Sequence, residues 1–264
     1  MGQSWILAVG DEILSGHTAD TNSAWLAGRL ATTAHPCARI VVAPDDEAAV
    51  AEELQRARAT PGVDRVFCCG GLGPTPDDRT LAAVARALGL PLREDPQALA
   101  HVRHVVERMH AAGWVPDATI NAGNRRMTRT PAGSIVLRNR TGMAPALAIP
   151  LAAAEDDAWL LVLPGVPREL RTVVDEEILP VYCAGGAAVT YRELHYTGVG
   201  ESSFFEALGR LARTYPQVRF GSYPQPTAGD LVIRASGLDP AQVARALSAL
   251  SRMRPGGRPA AGGG

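Results

Sequence analysis

Lysine is absent from this sequence of 264 residues, so all 26 of its basic residues are arginine. Enzymes that hold pyridoxal phosphate or a carbonyl substrate as a Schiff base need a lysine amine, and a phosphate loop of the Walker type ends on a lysine. The sequence therefore excludes these kinds of site. An arginine-favouring genome is enough to explain the composition, and the exclusion holds whatever its cause.

The sequence also lacks a long apolar run, a basic start and an excess of charge. No apolar stretch approaches the roughly 20 residues that cross a bilayer, and the first one, Trp5 to Val9, is soon followed by Asp11 and Glu12. We therefore expect a cytoplasmic protein with no secretory signal and no membrane contact. The net charge is −1, and no aromatic platform or G-x-x-G clamp is evident, so we do not expect nucleic acid as a partner.

Cysteine is scarce and scattered. The four cysteines, Cys37, Cys68, Cys69 and Cys183, form no C-x-x-C pair and no metal-binding array. Cys68 and Cys69 continue an apolar run, which predicts small buried residues of a strand rather than reactive thiols.

Short apolar runs alternate with stretches of helical periodicity over most of the chain. Strands are predicted at 5–9, 38–43, 64–69 and 159–163, and helices at 20–33, 45–59, 77–88, 95–112 and 168–179. This alternation is typical of a parallel sheet with helices on both faces. We predict a first domain over 1–182, a small α+β domain of the order β-α-β-β-α over 189–254, and a disordered tail over 255–264.

Three polar segments follow predicted strands, and the carboxyl ends of parallel strands meet at one edge of a sheet. The first segment, residues 10–16, reads GDEILSG and is followed by DTN at 20–22. It puts two acids next to a buried strand, although a solvated loop with a helix cap accounts for them equally well. The third segment, residues 163–169, reads LPGVPRE and repeats the pattern of strand, breaker and helix.

The second segment, residues 70–80, is the most informative and reads GGLGPTPDDRT. Glycines between a strand and a helix let the backbone approach a phosphate, and a helix start can bind it. The segment matches neither the dinucleotide fingerprint nor the Walker loop. Asp77 and Asp78 would make chemical sense if a divalent cation joined them to the phosphates, and the alternative is that they cap the helix.

Together these segments resemble the N-terminal region of the competence/damage-inducible CinA family, which has the fold of the MoaB and MogA molybdopterin-binding proteins. The order and spacing match over about residues 5–180, and TGVGES at 197–202 and GSYP at 221–224 resemble the family's small following domain. The resemblance implies a three-layer α/β/α sandwich with a mostly parallel sheet. It also implies a pocket for a nucleotide or a pterin phosphate.

The family's activity implies a metal-dependent pyrophosphohydrolase that cleaves ADP-ribose, or a related nucleoside diphosphate compound, to AMP and a sugar phosphate. Carried over by motif, Asp77, Asp78 and Glu12 are the catalytic candidates, and Asp77, Asp78 and Asp11 are the candidate ligands of Mg²⁺, Mn²⁺ or Co²⁺. The candidates for phosphate or nucleotide binding are Gly10, Asp11, Ser15, Asn22, Gly70, Gly71, Gly73, Thr75, Thr80, Gly142, Gly165 and Glu169.

A second hypothesis remains open, in which the same loops bind or adenylylate molybdopterin without hydrolase activity. The segment GMAPA at 142–146 departs from the family's GTAPG, with Met143 for threonine and Ala146 for glycine. Many CinA proteins continue into a nicotinamide-nucleotide amidase domain, and this chain ends before one, so we expect no deamidase activity. We expect a homo-oligomer, since most soluble oligomers are symmetric homo-oligomers.

Overall fold

The computed structural model describes residues 2–151, 157–185, 189–226, 229–253 and 255. The chain divides into two compact units, residues 1–186 and 187–264. Most of the tail predicted to be disordered, residues 256–264, lies outside the described residues. No helix in the described part of the chain is long and apolar enough to cross a membrane.

The first unit alternates strands and helices. Its strands are β1 (Gln3–Val9), β2 (Cys37–Ala43), β3 (Val63–Cys69), β4 (Leu92–Glu94), β5 (Arg129–Pro131), β6 (Ile135–Leu137), β7 (Ala146–Pro150) and β8 (Trp159–Leu163). Its helices are α1 (Asp11–Leu14), α2 (Thr21–Leu30), α3 (Glu47–Ala59), α4 (Thr80–Leu88), α5 (Pro96–Ala111), α6 (Ala122–Arg126), α7 (Pro167–Val173) and α8 (Leu179–Tyr182), with a π-helical turn at Val174–Ile178 between the last two.

Six strands form the central sheet in the order β2-β1-β3-β8-β7-β6. The first four are parallel, and β7 runs antiparallel to both β8 and β6. One apolar core packs α3 and α4 on one face, through Leu54 and Val84, and a second packs α2 and α7 on the other, through Leu26 and Leu170. The predicted mostly parallel sheet with helices on both faces is thus confirmed.

The structure differs from the prediction where acidic residues precede helices. Helix α3 begins at Glu47 with Asp46 as its cap, rather than at Asp45. Helix α4 begins at Thr80, three residues after the predicted start, and no side chain caps it. Asp77 and Asp78 are therefore neither helical nor capping residues. The sequence analysis also missed the short helix α1 and the pairing of β4 with β5.

The second unit is a three-stranded antiparallel sheet with helices on one face. It comprises β9 (Thr190–Tyr196), a 3₁₀ turn (Glu201–Phe204), α9 (Phe205–Thr214), β10 (Arg219–Pro224), β11 (Leu231–Gly237) and α10 (Pro240–Met253). The strand order is β10-β11-β9. This is the predicted β-α-β-β-α order, and its core is separate from those of the first unit.

Candidate functional site

The predicted polar segments converge at the carboxyl edge of the central sheet. There they surround a cavity of about 250 Å³, which we call the polar cavity. Its lining includes backbone of Val9, Gly70 and Gly71, the amide side chain of Asn22, and carboxylates. The carboxylates around it are those of Glu12, Asp20, Asp45, Asp77 and Asp78.

The glycine loop after β3 needs its glycines for close backbone approach. Gly70 and Gly71 have φ of +106° and +64°, which favour glycine. A Cβ on Gly70 would lie 2.4 Å from the carbonyl oxygen of Val9. Thr80 is buried and holds the loop, because its hydroxyl donates to the Gly70 carbonyl at 2.8 Å and its N–H donates to the Gly71 carbonyl at 3.2 Å.

Asp11 and Asp45 join the ends of β1 and β2. The N–H of Asp11 donates to Asp45 Oδ2 at 2.9 Å, and the N–H of Asp45 lies 3.4 Å from Asp11 Oδ1. Partial burial raises the pKa of the Asp45 carboxyl, and the charges of Asp11, Glu12 and Asp77 raise it further, against the lowering effect of the Asp11 N–H. The polar cavity therefore carries a concentrated negative charge on one wall.

Asp78 stabilises the turn that precedes α4. Its Oδ2 accepts from the Thr75 N–H at 2.9 Å and from the Thr75 hydroxyl. The nearby Thr75 hydroxyl and the backbone N–H of Asp77 lower the pKa of the Asp77 carboxyl, and the charges of Arg126 and Arg79 contribute less. The Asp77 carboxylate is thus ionised at neutral pH and exposed to a ligand.

Asn22 links α2 to the loop that follows β8. Its Nδ2 donates to the Gly165 carbonyl at 2.7 Å. Its Oδ1 is buried and has no hydrogen-bond partner among the described residues. A buried amide oxygen without a partner is costly, so Asn22 Oδ1 is available to accept a hydrogen bond from a ligand.

A second cavity of about 540 Å³ adjoins the first and shares Gly71, Asp78 and Gly165 with it. We call it the methionine cavity, because Met109, Met127 and Met143 line it. Leu72, Pro74, Ala144, Pro164 and Val166 complete an apolar wall, with Asn124 and Glu169 as polar groups.

Glu169 is held in position at this second cavity. Asn139 is buried, and its Nδ2 donates to Glu169 Oε2 at 2.7 Å and to the Ala144 carbonyl at 2.9 Å. Its Oδ1 accepts from the Gly142 N–H at 3.0 Å. A Cβ on Gly142 would overlap the Glu169 carboxylate, so a larger residue at position 142 would displace this carboxylate from its place.

The structure brings most of the candidate residues to one or the other cavity. Glu12, Asn22, Gly70, Gly71, Asp77, Asp78 and Gly165 line the polar cavity, and Gly73 and Glu169 line the methionine cavity. Gly10, Asp11, Ser15, Thr75, Thr80 and Gly142 line neither. Four of these six support the cavity walls through the hydrogen bonds given above, namely Asp11, Thr75, Thr80 and Gly142. Among the described residues, the exposed Ser15 hydroxyl bonds the Glu12 carbonyl alone, at 3.3 Å.

The expected metal ligands do not form a metal site here. Among the described residues, no group of three or more His, Cys, Asp or Glu side chains is placed to hold a metal ion. Asp78 already accepts two hydrogen bonds from Thr75, and Asp11 faces the Asp45 N–H. Asp77, Asp78 and Asp11 are therefore not arranged as a preformed cation site, and the divalent cation that the resemblance implies stays a prediction.

Burial raises the pKa of Cys69, which lines the polar cavity, well above its ordinary value. It raises that of Cys68 to about 12. The predicted role of both as buried strand residues is confirmed, and neither supplies a thiolate.

Sequence reasoning did not assign Asp45, Asn139, Met109 or Met127 to the site, and it noted Met143 only as a departure from the family motif. Asp45 lies two residues after the end of β2, so it occupies a strand end like those of the three chosen segments, and this signal was available. Asn139 and the methionines lie on α5, on the segment after α6 and on the loop between β6 and β7. No short motif joins these segments, so only the fold shows that they meet.

Comparison with known proteins finds a matching family for each part of the chain. The family described as "Probable molybdopterin binding domain" matches residues 5–183, and "FAD synthase, middle domain" matches residues 189–259. A protein of Aeropyrum pernix is 36% identical over 96% of this chain and 93% of its own length. A CinA-like protein of Myxococcus xanthus is 34% identical over 93% of this chain, and the match spans 56% of that protein.

The crystal structure of the protein CinA from Thermoplasma acidophilum is similar to this chain with a TM-score of 0.56 and 29% identity. The similarity covers 66% of this chain and 94% of that one. Motifs, fold and relatives agree: the chain belongs to the CinA-like proteins built on the molybdopterin-binding domain of the MoaB and MogA type.

Proposed function

We propose that the first unit binds a phosphorylated pterin of the molybdopterin type. The observation that carries this proposal is the junction of two cavities with opposite chemistry at Gly71, Asp78 and Gly165. A ligand with an apolar ring system and a phosphate would occupy both cavities at once. The family description, a probable molybdopterin-binding domain, supports a pterin as the ring.

The ring belongs in the methionine cavity. Thioether sulfurs make favourable contacts with aromatic rings and adapt to their outline. The edge of a pterin carries an amino group and a ring N–H, which are both donors. Glu169, held by Asn139, is an acceptor at the wall of a mostly apolar cavity, which Asp78 and Asn124 also line. A charge-assisted hydrogen bond in such surroundings fixes the orientation of the ring.

The phosphate belongs at the glycine loop, where the missing side chains of Gly70 and Gly71 allow an anion to approach the backbone. The nearby carboxylates of Glu12, Asp45 and Asp77 repel a phosphate dianion. The described residues form no preformed metal site. We therefore expect a divalent cation from the solution to bind together with the phosphate and to offset its negative charge. Added Mg²⁺ should therefore strengthen the binding of a phosphorylated ligand more than that of its unphosphorylated form.

Hydrolysis of ADP-ribose finds no support in the described residues, because they contain no group of three or more side chains placed to hold a metal ion. Adenylylation of molybdopterin would use the same two cavities for its acceptor substrate. Neither reaction is part of the proposal, and release of AMP from ADP-ribose is a readout of the experiment below.

The binding test uses the intrinsic fluorescence of 6-hydroxymethylpterin and of its phosphate ester, titrated with the full chain. We expect both to bind, with the ester favoured at least tenfold in the presence of Mg²⁺. Glu169→Gln should weaken both probes about tenfold, which corresponds to about 1.4 kcal/mol. Glu176→Gln is the matched control, because this exposed glutamate pairs with Arg140 away from both cavities.

Failure of both probes to bind with and without Mg²⁺ would refute the proposal. So would equal affinities for wild type and the Glu169 variant. Incubation with ADP-ribose and Mg²⁺, Mn²⁺ or Co²⁺ completes the test, and release of AMP would restore hydrolysis as the function of the site.

A further inference from the structure

The small sheet of the second unit has two faces of very different character. Side chains alternate between the faces of a strand. One face presents Leu194, Phe220 and Ile233, which pack with α9 and α10 into the core of the unit. The opposite face presents polar and aromatic side chains, and no role was assigned to it above.

Strand register fixes the order of side chains on this opposite face, which we call the tyrosine face. Three rows of paired residues cross it from β10 through β11 to β9. The rows are Arg219–Ser236–Tyr191, Gly221–Arg234–Glu193 and Tyr223–Val232–His195. Arg234 thus occupies the centre, with tyrosines at two opposite corners and Arg219 and His195 at the other two.

The tyrosine of β10 lies along the sheet because the residue two positions before it is glycine. A Cβ on Gly221 would lie 2.7 Å from Tyr223 Oη and 2.9 Å from its ring carbons. The ring therefore fills the space above Gly221 and reaches towards Arg234, the cross-strand neighbour of that glycine. A glycine at this place leaves the space that the end of the Tyr223 ring occupies.

Arg234 joins the two tyrosines into one surface. Its guanidinium carbon lies 5.0 Å from the ring centre of Tyr223 and 5.2 Å from that of Tyr191. Glu193 Oε1 accepts from both Nε and Nη2 at 2.7 Å, which holds the guanidinium in place. The position of the stack is thus determined before any partner arrives.

The stack is also accessible. Tyr191 is 50% exposed and Tyr223 is 45% exposed, although rings that serve only to pack are normally buried. Among the paired residues of this face Glu193 is the one carboxylate; it pairs with Arg234, and its Oε2 lies 3.6 Å from His195 Nε2. The remaining cation, Arg219, is exposed and has no carboxylate within 4 Å among the described residues.

We propose that the tyrosine face binds single-stranded nucleic acid, with bases stacked on Tyr191, Arg234 and Tyr223 and a phosphate near Arg219. Flat rings and a guanidinium plane recognise unpaired bases, and exposed arginines recognise the backbone between them. Base pairs in a duplex hide the surfaces that such a stack contacts, so the strand must be single. This binding is independent of the pterin site, and it reverses the expectation drawn from net charge.

The test measures the fluorescence anisotropy of labelled 12-mers of mixed sequence with the full chain in low salt. We expect single-stranded RNA and DNA to bind, and a duplex of the same sequence to bind at least tenfold more weakly. Tyr191→Ala and Tyr223→Ala should each weaken single-strand binding about tenfold, and the phenylalanine variants should retain it. Arg219→Ala should reduce the slope of log K against log salt by about 0.7.

Arg213→Ala is the matched control, because this exposed arginine lies on α9, which packs on the opposite face of the sheet. It removes the same charge and should leave the affinity unchanged. Melting curves confirm that each variant is folded. The salt dependence of Arg219→Ala tests phosphate binding at the tyrosine face while both tyrosine rings stay intact. The proposal is overturned if single strands do not bind, if the alanine variants bind like wild type, or if the two arginine variants lose equal affinity.

Discussion

At the scale of single residues, Asp45 shows that neighbours decide what a carboxylate does. Its position before a helix suggested a favourable helix start, but Asp46 caps that helix instead. Asp45 faces Asp11, Glu12 and Asp77 at the polar cavity, and partial burial together with these charges raises its pKa. The negative charge of Asp45 therefore destabilises the folded protein, and a negatively charged ligand in the polar cavity would increase this repulsion.

Replacing this charge should stabilise the protein at neutral pH. Folding raises the pKa of the Asp45 carboxyl above its ordinary value of 3.8. As pH rises through 3.8, the unfolded chain therefore loses the carboxyl proton before the folded protein does. Stability then falls until the pH passes the folded-state pKa. Asp45→Asn keeps an oxygen for the Asp11 N–H. We expect it to raise the free energy of unfolding in urea at pH 7, and the gain to vanish below about pH 4.

Asp46→Asn provides the comparison for Asp45→Asn. It removes one negative charge at the next position, and asparagine caps helices about as well as aspartate. We expect no gain in stability from it, since Asp46 accepts hydrogen bonds from the N–H groups of Ala48 and Ala49. Equal gains from both variants would show that the effect comes from net charge, not from the crowding of carboxylates around Asp45.

At the scale of elements, an acidic residue predicted the start of a helix correctly where its side chain caps the N–H groups of the residues that follow it. Asp20 and Asp95 cap α2 and α5 as the sequence suggests, because their partners lie two or three residues ahead. Asp78 lies at a comparable position, but Thr75 engages it from the preceding side. The hydrogen bond from Thr75 therefore holds Asp78 in a turn before α4, although the acid alone predicts the start of a helix there.

The loop between β6 and β7 shows a connection that no local pattern reveals. Asn139 joins this loop to Glu169 of α7, thirty positions further along the chain. The same side chain bonds the Ala144 carbonyl and the Gly142 N–H, so one residue sets the shape of the loop and the position of the carboxylate. The departures from the family motif at Met143 and Ala146 lie in or beside this loop. The structure shows them next to the methionine cavity, which Met143 lines.

Asn139→Asp should break this connection with almost no change in shape. The new carboxylate cannot donate to Glu169 or to the Ala144 carbonyl, and it puts a second negative charge 2.7 Å from Glu169. We expect the free energy of unfolding at neutral pH to fall by at least about 2 kcal/mol. Binding of 6-hydroxymethylpterin should be lost at concentrations where the variant is still folded.

The matched substitution is Asn121→Asp, at the cap of α6. Aspartate accepts from the Asn124 N–H as asparagine does, so stability should change by less than about 0.5 kcal/mol. A small effect at both positions would mean that Asn139 does not position Glu169.

At the scale of the whole molecule, the polar cavity was largely foreseeable and the methionine cavity was not. Parallel strands bring their carboxyl ends to one edge of a sheet, so Glu12, Gly70 and Gly165 were expected to meet there. Met109 and Met127 lie on segments outside the central sheet, and their meeting depends on how α5 packs against the loops. The tyrosine face is similar, since thirty-two positions separate Tyr191 from Tyr223 and only strand register brings them to the corners of one surface.

The separation of the cores allows a prediction for the chain as a whole. The cores of residues 1–186 contain both layers of helices around the central sheet, and residues 187–264 have their own core around Phe204 and Ile233. All residues that line the polar and methionine cavities belong to the first unit. A fragment of residues 1–186 should therefore fold and bind 6-hydroxymethylpterin phosphate within about twofold of the full chain, but should not bind single-stranded oligonucleotides.

Measuring pterin binding and oligonucleotide binding on the same fragment shows which assignment is wrong if the prediction fails. A large first unit buries enough apolar surface to fold alone, whereas a unit of the size of the second is marginal. If the fragment folds but loses pterin binding more than tenfold, the second unit must complete the pterin site, and the assignment of both cavities to the first unit is wrong. If the fragment still binds oligonucleotides as tightly as the full chain, the tyrosine face is not their binding surface. Retained pterin binding with lost oligonucleotide binding would place one ligand on each unit, as the chemistry of their surfaces predicts.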